Sequence, residues 1–394
     1  MLSRRSVLIG ALAVGAGGGV VVDRARTAAP LPTLANGASW RQSPVQAARD
    51  WLTGGTVPGS GAPDGLVAEA LMDLHGLLGP DGAVLAGPAG IWRYVWPRDA
   101  SFVVVALAAT GHLEQAWATL RFLSRVQLPD GGFEARYLPD GSGPPDDRQR
   151  QSDGAGWVLW ALDMARSVSG ASAIPADLRL MRDRAASFVD HQTSGATTLP
   201  VASPDYWEVP ERAVTLGTIS PMATGLEAAA RTCTAEGNRS AAARWSGAAG
   251  RLSALVVREL GPAYDRYGRS GGGDAATPML LPPFAVDLPP DVLSAWSRYA
   301  VEARRPAGGL APGTGWRADG VSWTAETALV AYTAAAIGRR DEARRWLAWL
   351  AAHRTAWGSV PEKVRADGRA AGPAPLAWTA ALIVLTAHEL DRRS

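Results

Sequence analysis

The chain contains few cysteines, histidines and charged residues, and each shortage excludes a kind of chemistry. Its 394 residues include one cysteine, Cys233, so no disulfide can form within the chain, and we expect this thiol to be a small buried apolar group. The five histidines are scattered, and no histidines and acids have the spacing of a metal site, so the sequence predicts neither a metal nor another cofactor. Charged residues make up 19% of the chain and the net charge is +2, which gives no indication of nucleic-acid binding.

Lysine is also nearly absent, since the chain has 38 arginines and one lysine, Lys363. This ratio is typical of a GC-rich genome, so the abundance of arginine carries no functional argument by itself. Tryptophan is more informative, because 16 tryptophans accompany only 5 phenylalanines. Flat indole faces pack against the C–H faces of sugar rings, although most tryptophans are core or edge residues. We expect Trp157 and Trp160, three residues apart on one predicted helix, to belong to the core.

The first 30 residues have the pattern of an export signal. Arg4 and Arg5 form a twin-arginine pattern, and an apolar run rich in Gly and Ala comes after them. Asp23 ends this run short of the roughly 20 residues that a membrane helix needs. We therefore expect a secreted or cell-surface protein, exported by the twin-arginine route, with residues 1–30 as its signal. The alternative is a membrane anchor that is not cleaved.

Helical periodicity dominates the rest of the chain, with little sign of strands. The predicted helices span 66–78, 98–110, 113–126, 154–168, 176–191, 220–235, 240–259, 291–303, 324–337, 341–353 and 376–390. Short turns join several pairs, whereas alternate joints are long and rich in Gly, Pro and Asp. This alternation predicts an all-α toroid with function on the long-loop face. We expect one domain over 63–394, after an N-terminal extension at 31–62; an irregular helical domain is the alternative.

Three segments rich in tryptophan and proline carry the candidate chemistry. Two of them contain a glutamate, Glu208 directly after Trp207 and Glu362 directly after Pro361. The third segment is the run Trp92-Arg93-Tyr94-Val95-Trp96-Pro97-Arg98-Asp99. An arginine and an acid can hold sugar hydroxyls beside aromatic faces that support the ring. Together the three segments predict a pocket that hydrolyses glycosides.

Six short blocks resemble, in their order along the chain, those of glycoside hydrolase family 15, which includes glucoamylases, glucodextranases and some bacterial trehalases. The blocks are YVWPRDA (94–100), QSDGAG (151–156), WEV (207–209), TIS (218–220), VPE (360–362) and PLAW (375–378). Each block alone is a weak signal, but six in order over nearly the whole mature chain are specific. The resemblance implies an (α/α)6 barrel that hydrolyses glycosides with inversion at the anomeric carbon.

The resemblance also assigns catalytic roles. Glu208 matches the family's general acid and Glu362 its general base, and inversion needs two such carboxyl groups about 6.5 to 9.5 Å apart, one protonated and one ionised. We expect an apolar setting beside Trp207 to raise the pKa of Glu208, and Lys363 to help keep Glu362 ionised. Glu211 is the alternative acid or an auxiliary carboxylate. For a glutamate in a loop, the ordinary interpretation is a solvated surface charge.

The remaining assignments concern sugar binding. Arg98 and Asp99 match the pair that holds hydroxyls of the sugar at the nonreducing end, although Pro97 and Asp99 also suit an ordinary helix start. Trp92 lies where family members usually carry a tyrosine beneath the ring. The predicted substrate-binding residues are Arg98, Asp99, Trp92, Tyr94, Trp96, Gln151, Asp153 and Trp207.

One departure from the family bears on the choice of sugar. Between Gly308 and Trp323 the family usually has an arginine followed by an aromatic residue and an acid that contact the sugar. This chain has the run GLAPGTGW at 309–316 instead. Arg317 and Asp319 are candidates to replace the missing side chains from a shifted loop. The departure affects glucose specificity more than hydrolysis.

The sequence therefore predicts a monomeric, inverting exo-glycosidase that removes terminal α-linked glucose from oligosaccharides or polysaccharides. One alternative is a family-15-like hydrolase for a different terminal sugar. Another is a catalytically silent carbohydrate-binding protein, against which the two glutamates argue, since binding alone does not need both. A toroid for lipid or isoprenoid chemistry is more distant, because an acidic metal-binding cluster is missing. We expect no nucleic-acid partner, and membrane contact only if the signal is not cleaved.

Overall fold

The computed structural model of the protein describes residues 42–59, 61–285 and 290–392. The predicted signal at 1–30, and the first part of the predicted extension, lie outside the described residues. The remainder of that extension contains a helix that the periodicity did not predict, and Trp51 on it stacks on His75 of the next helix with ring centroids 4.6 Å apart. Within the described ranges, no helix combines the length and the apolar character that crossing a bilayer requires.

The described ranges contain twelve α-helices and very little sheet. The helices are α1 Gln42–Thr53, α2 Leu66–Leu77, α3 Pro97–Ala109, α4 Leu113–Val126, α5 Asp153–Val168, α6 Arg179–Gln192, α7 Leu216–Ala235, α8 Arg239–Leu260, α9 Pro290–Glu302, α10 Thr324–Ala336, α11 Arg340–Ala352 and α12 Ala377–Arg392. Three short 3-10 helices cover Gly90–Trp92, Ala176–Leu178 and Thr277–Leu280. The strands β1 Ser322–Trp323, β2 Lys363–Val364 and β3 Ala370–Ala371 form one small antiparallel sheet in that order.

Six inner elements form a closed ring, and this ring makes the molecule an (α/α)6 barrel. In order they are α3, α5, α7, the 3-10 helix Thr277–Leu280, α10 and α12, and α12 contacts α3 to close the ring. The inner helices are buried on all sides; every residue of α10 is buried. The outer helix α11 instead buries only one face, formed by Ala343, Trp346, Leu347 and Leu350. The predicted all-α toroid is confirmed.

The fourth inner position is the exception to this pattern, because it holds a single 3-10 turn instead of an α-helix. Pro278 lies inside that turn, and Pro282 and Pro283 follow it closely. Proline lacks the N–H that helix propagation needs, and its ring clashes with the preceding turn. The chain therefore cannot build a long inner helix here, in agreement with the long non-helical joint in the sequence.

The core of the barrel is aromatic in its middle and depends on glycine where two inner helices cross. Trp157 and Trp160 are fully buried, as expected, and their rings lie 5.0 and 4.9 Å from that of Phe102. A Cβ atom on Gly156 of α5 would lie 2.1 Å from the carbonyl oxygen of Pro221 on α7. The close contact between α5 and α7 thus requires a residue without a side chain.

We expect Gly156→Ala to lower the free energy of unfolding by about 2 kcal/mol or more, because the backbone of α7 must move to admit the methyl group. Gly250→Ala on the outer helix α8 is the matched control, since no atom lies within 4 Å of the new Cβ there. That control should gain up to about 1 kcal/mol from helix propensity. Urea unfolding of both variants measures the difference, and equal effects would contradict the tight crossing.

Candidate active site

A cavity of about 1000 Å³ lies at the end of the barrel where the long loops meet. Its wall includes the first turns of α3, α10 and α12 and the loop that precedes α7. Seven of the ten predicted site residues line it: Glu208, Glu362, Arg98, Asp99, Trp92, Trp96 and Trp207. A second cavity, of about 830 Å³ beside α6, contains none of them. The structure therefore brings residues more than 250 positions apart into one site.

Glu208 enters this cavity from a tight turn with an unusual backbone. Its φ angle is 55°, a left-handed conformation that costs a residue other than glycine about 1–3 kcal/mol. The backbone N–H of Glu208 donates to the carbonyl of Asp205 at 2.8 Å, and that of Trp207 donates to the Asp205 carboxylate at 2.9 Å. Strain of this kind persists only where the surrounding structure holds it in place.

The surroundings of Glu208 are ionic, in contrast to the apolar setting that we expected. Arg148, from the loop between α4 and α5, forms an ion pair with one carboxylate oxygen of Glu208. Arg98 Nη2 lies 3.7 Å from the other oxygen. Arg148 also lies 3.6 Å from Asp146 of its own loop. The sequence motif indicated Trp207 as a neighbour, but it gave no sign that Arg148 would reach across from a distant loop.

A buried arginine holds the turn that presents Glu208. Arg266 is 1% exposed, and its guanidinium lies 2.9 Å from Asp205, 2.6 Å from Glu211 and 3.0 Å from Asp274. The same group lies 3.6 Å from the centre of the Trp207 ring. Burial raises the pKa of Asp274 to about 6, although the charge of Arg266 acts in the opposite direction. Arg266 thus contacts the segment around Glu208 at Asp205, at Trp207 and at Glu211.

Glu211, the alternative acid, belongs to this support and does not line the cavity. One of its oxygens accepts a hydrogen bond from Arg266, and the other accepts one from the hydroxyl of Tyr267 at 2.7 Å. Its side chain is only 4% exposed. The geometry therefore favours Glu208 over Glu211 as the group that meets a ligand.

Glu362 lies on the opposite segment, directly before β2. Its N–H donates to Pro373 at 2.8 Å and its carbonyl accepts from Thr324 at 3.0 Å, so the small sheet fixes its backbone. Lys363 Nζ lies 3.5 Å from Glu362 Oε2 and 4.1 Å from the centre of the Trp323 ring. The only lysine of the chain is therefore a buried neighbour of this candidate base.

Arg98 and Asp99 occupy the first turn of α3, and both are buried at the cavity wall. Arg98 Nη2 lies 3.2 Å from Asp99, and its Nη1 donates to Gln151 at 3.3 Å. The guanidinium lies 4.9 Å from the centre of the Trp378 ring. Burial raises the pKa of Asp99, and the charge of Arg98 partly opposes that shift. The fork of Arg98 is thus fixed from several sides before any ligand arrives.

Three predicted sugar contacts, Tyr94, Gln151 and Asp153, are not among the residues that line the cavity. Gln151 supports Arg98, and Asp153 accepts a hydrogen bond from the indole of Trp157 at 3.1 Å. The Tyr94 ring lies 4.9 Å from the guanidinium of Arg136, which does line the cavity. Burial raises the pKa of Asp153 to about 7, against the effect of Arg98. These residues support the wall from behind.

The cavity also contains residues that the sequence interpretation did not assign. They include Arg136, Arg148, Trp316, Trp323, Glu326, Arg365, Arg369 and Trp378. Arg317 and Asp319, the candidates to replace the missing family arginine, line the cavity too. In the described ranges, no three His, Cys, Asp or Glu side chains are arranged to hold a metal ion.

Replacing Arg266 by leucine should lower the free energy of unfolding by about 3–5 kcal/mol, because three buried carboxylates then lack their shared cation. The control is Arg298→Leu, which removes a partly exposed pair with Asp265 and should cost less than about 1 kcal/mol. Guanidinium chloride unfolding at pH 7 measures both values. Equal losses would show that Arg266 does not fix this segment.

No family model matches the chain. Over 107 residues, 27% of this chain, the sequence is 32% identical to an uncharacterized glycosyl hydrolase of Methanocaldococcus jannaschii. That match covers 17% of the relative, so the chain spans about a sixth of the length of the curated protein that it matches.

Solved structures resemble the chain over most of its length. A glycosidase variant in complex with glucose has a TM-score of 0.72 at 20% identity, covering 90% of this chain and 99% of the other. A family 15 glucoamylase from Hypocrea jecorina has a TM-score of 0.62 at 17% identity, over 88% of this chain and 71% of that one. The resemblance seen in the sequence is thereby confirmed for the fold: this chain has the (α/α)6 barrel of the glucoamylases.

Proposed function

We propose that the protein is an inverting, exo-acting glycoside hydrolase that removes terminal α-linked glucose from oligosaccharides or polysaccharides. The observation that carries this proposal is the cavity in which Glu208 and Glu362 approach from two separate segments, with Arg98 and Asp99 in the same wall. Two similarities support the proposal. A glycosidase variant with this fold has been solved in complex with glucose, and the protein that matches 27% of this chain is described as an uncharacterized glycosyl hydrolase.

The chemistry follows from the two carboxyl groups. Glu208 gives its proton to the glycosidic oxygen as the bond between that oxygen and the anomeric carbon breaks. A water molecule attacks the same carbon from the opposite face and loses its proton to Glu362. The ammonium group of Lys363 lies 3.5 Å from Glu362 and places a positive charge beside the proposed base. Arg98 and Asp99 hold hydroxyls of the terminal sugar during the reaction.

The ion pair between Arg148 and Glu208 has a consequence for this cycle. A general acid must reach the glycosidic oxygen with its own carboxyl oxygen, whereas the guanidinium of Arg148 occupies one of the two oxygens of Glu208. We therefore infer that the incoming sugar displaces Arg148 from Glu208. Arg148 can withdraw to Asp146, which already lies 3.6 Å from it.

The choice of sugar depends on the segment that departs from the family. Trp316, Arg317, Asp319 and Trp323 line the cavity and lie where the usual arginine is missing. A different terminal sugar is therefore the second candidate. We also propose twin-arginine export and action outside the cytoplasm, and the support for this is the pattern at Arg4 and Arg5.

The activity test uses the purified protein with maltose, isomaltose, trehalose and dextran, and measures released glucose. Glu208→Gln and Glu362→Gln should each lower kcat at least about 100-fold, the usual contribution of a positioned acid or base. KM should change little because glutamine keeps the shape. Glu211→Gln should lower kcat less than about 10-fold while lowering the Tm.

The outcomes separate the candidates. Binding of oligosaccharides without hydrolysis of any would favour the silent carbohydrate-binding protein. Activity only on glycosides of another sugar would favour the second candidate. Loss of kcat in Glu211→Gln, with Glu208→Gln near wild type, would show that Glu208 is not the acid.

The first product should have inverted stereochemistry. If Glu362 activates water and forms no bond to the sugar, an α-linked substrate yields the β-anomer first. Proton NMR recorded before mutarotation distinguishes the two anomers. The α-anomer as first product would show retention and exclude the roles given to both glutamates.

A further inference from the structure

Glu326 is a third glutamate of the cavity, and the reaction proposed above does not use it. It is 3% exposed, it lines the same cavity as Glu362, and it lies in the first turn of the inner helix α10. Its Oε2 atom has no hydrogen-bond partner among the described residues. A buried polar atom without a partner costs about 1–3 kcal/mol, so a purely structural role would be expensive.

The position of Glu326 in its helix matches that of Asp99. Each is the third residue of its inner helix, since α3 begins at Pro97 and α10 begins at Thr324. Both side chains line the cavity, and both are close enough to Arg98 to feel its charge. The barrel thus places two buried acids at the same position in the first turns of two different inner helices.

We propose that Glu326 is a further substrate-binding residue, whose carboxyl group hydrogen-bonds a ring hydroxyl of the terminal sugar on the Glu362 side of the cavity. This rests on the proposed function for the kind of ligand, a terminal sugar. A hydroxyl group both donates and accepts, as a neutral carboxyl group does, so the two can satisfy one another. A sugar in this position would give the buried Oε2 atom the partner that it lacks.

The charges around Glu326 favour its neutral form. Burial raises its pKa to about 8, and the negative charge of Glu362 adds to this shift. Arg98 and Lys363 act in the opposite direction but do not outweigh burial. The hydroxyl of Tyr299 also faces this region, and it donates to the carbonyl of Ala311 at 2.7 Å. At neutral pH Glu326 therefore offers a proton donor as well as an acceptor.

The test compares Glu326→Gln, which keeps a neutral donor and acceptor, with Glu326→Met, which keeps volume but forms no strong hydrogen bond. Calorimetric titration with glucose, mannose, galactose and xylose is done in the otherwise wild-type protein, because these monosaccharides have no glycosidic bond to hydrolyse. For the sugar that binds best, Met should weaken binding at least about 10-fold, and Gln less than about 3-fold. The control is Glu389→Gln, a buried acid on α12 outside the cavity.

Thermal unfolding tests the charge state without any ligand. Because the folded-state pKa is raised, the wild type binds a proton that the unfolded chain releases, and its stability falls as pH rises from about 4.5 to 8. Glu326→Gln lacks this loss, so its advantage in Tm over the wild type should grow by several degrees between pH 5 and pH 8. A constant difference in Tm would show that Glu326 is ionised throughout.

Two results would overturn the proposal. The first is an affinity for the sugar that is the same in Glu326→Met as in the protein that retains Glu326, or no binding of any of the four sugars to either protein. The second is a Gln variant, in the wild-type background, as inactive as Glu362→Gln, which would make Glu326 an ionised catalytic carboxylate. Sugar binding that requires Glu326, in a protein that hydrolyses no glycoside, would support this proposal and refute the hydrolase.

Discussion

The buried ion cluster around Arg266 is the constraint on which the site depends. Glu208 adopts a left-handed backbone that the residue would not choose by itself, and the turn before it is held through Asp205. Arg266 also binds Asp274 and covers the face of Trp207. Burial lowers the pKa of Arg266, but the negative charges of Asp274 and Asp205 outweigh this effect and raise that pKa. The guanidinium therefore stays charged at every working pH. A neutral side chain could not hold these groups together.

The resemblance of the six blocks implied the (α/α)6 arrangement, whereas the periodicity of the sequence predicted only an all-α toroid, in which inner helices bury every side and outer helices bury one. The periodicity placed helices along most of the chain. It was also sufficient to exclude a long helix near Pro282, where proline prevents one. Two features were missed. The helix α1 was not predicted although Val45, Ala48 and Leu52 recur at helical spacing, and the turn of Glu208 depends on Arg266, which is 58 residues away along the chain. Contacts over that separation leave no local signal.

Seven of the predicted site residues line the cavity directly, whereas three of them lie behind its wall and contact other residues. Gln151 and Asp153 belong to a recognisable block, yet they support Arg98 and Trp157 from behind the wall. Glu326 was missed for the opposite reason. An acid in the first turn of a helix usually serves the helix dipole, so its sequence setting looked ordinary. Only the closed ring shows that this turn faces a cavity.

The barrel explains why so many acids can share one cavity. The inner helices α3, α10 and α12 begin at its wall, and helix N-termini carry a partial positive charge that favours carboxylates. Asp99 and Glu326 lie in such first turns, whereas Glu208 and Glu362 lie on loops and have Arg148 and Lys363 beside them. The two kinds of position have different electrostatics. On the proposed function, the acids in the buried first turns bind sugar hydroxyls, and the acids on the loops, each with a cation nearby, exchange protons with the substrate and with water.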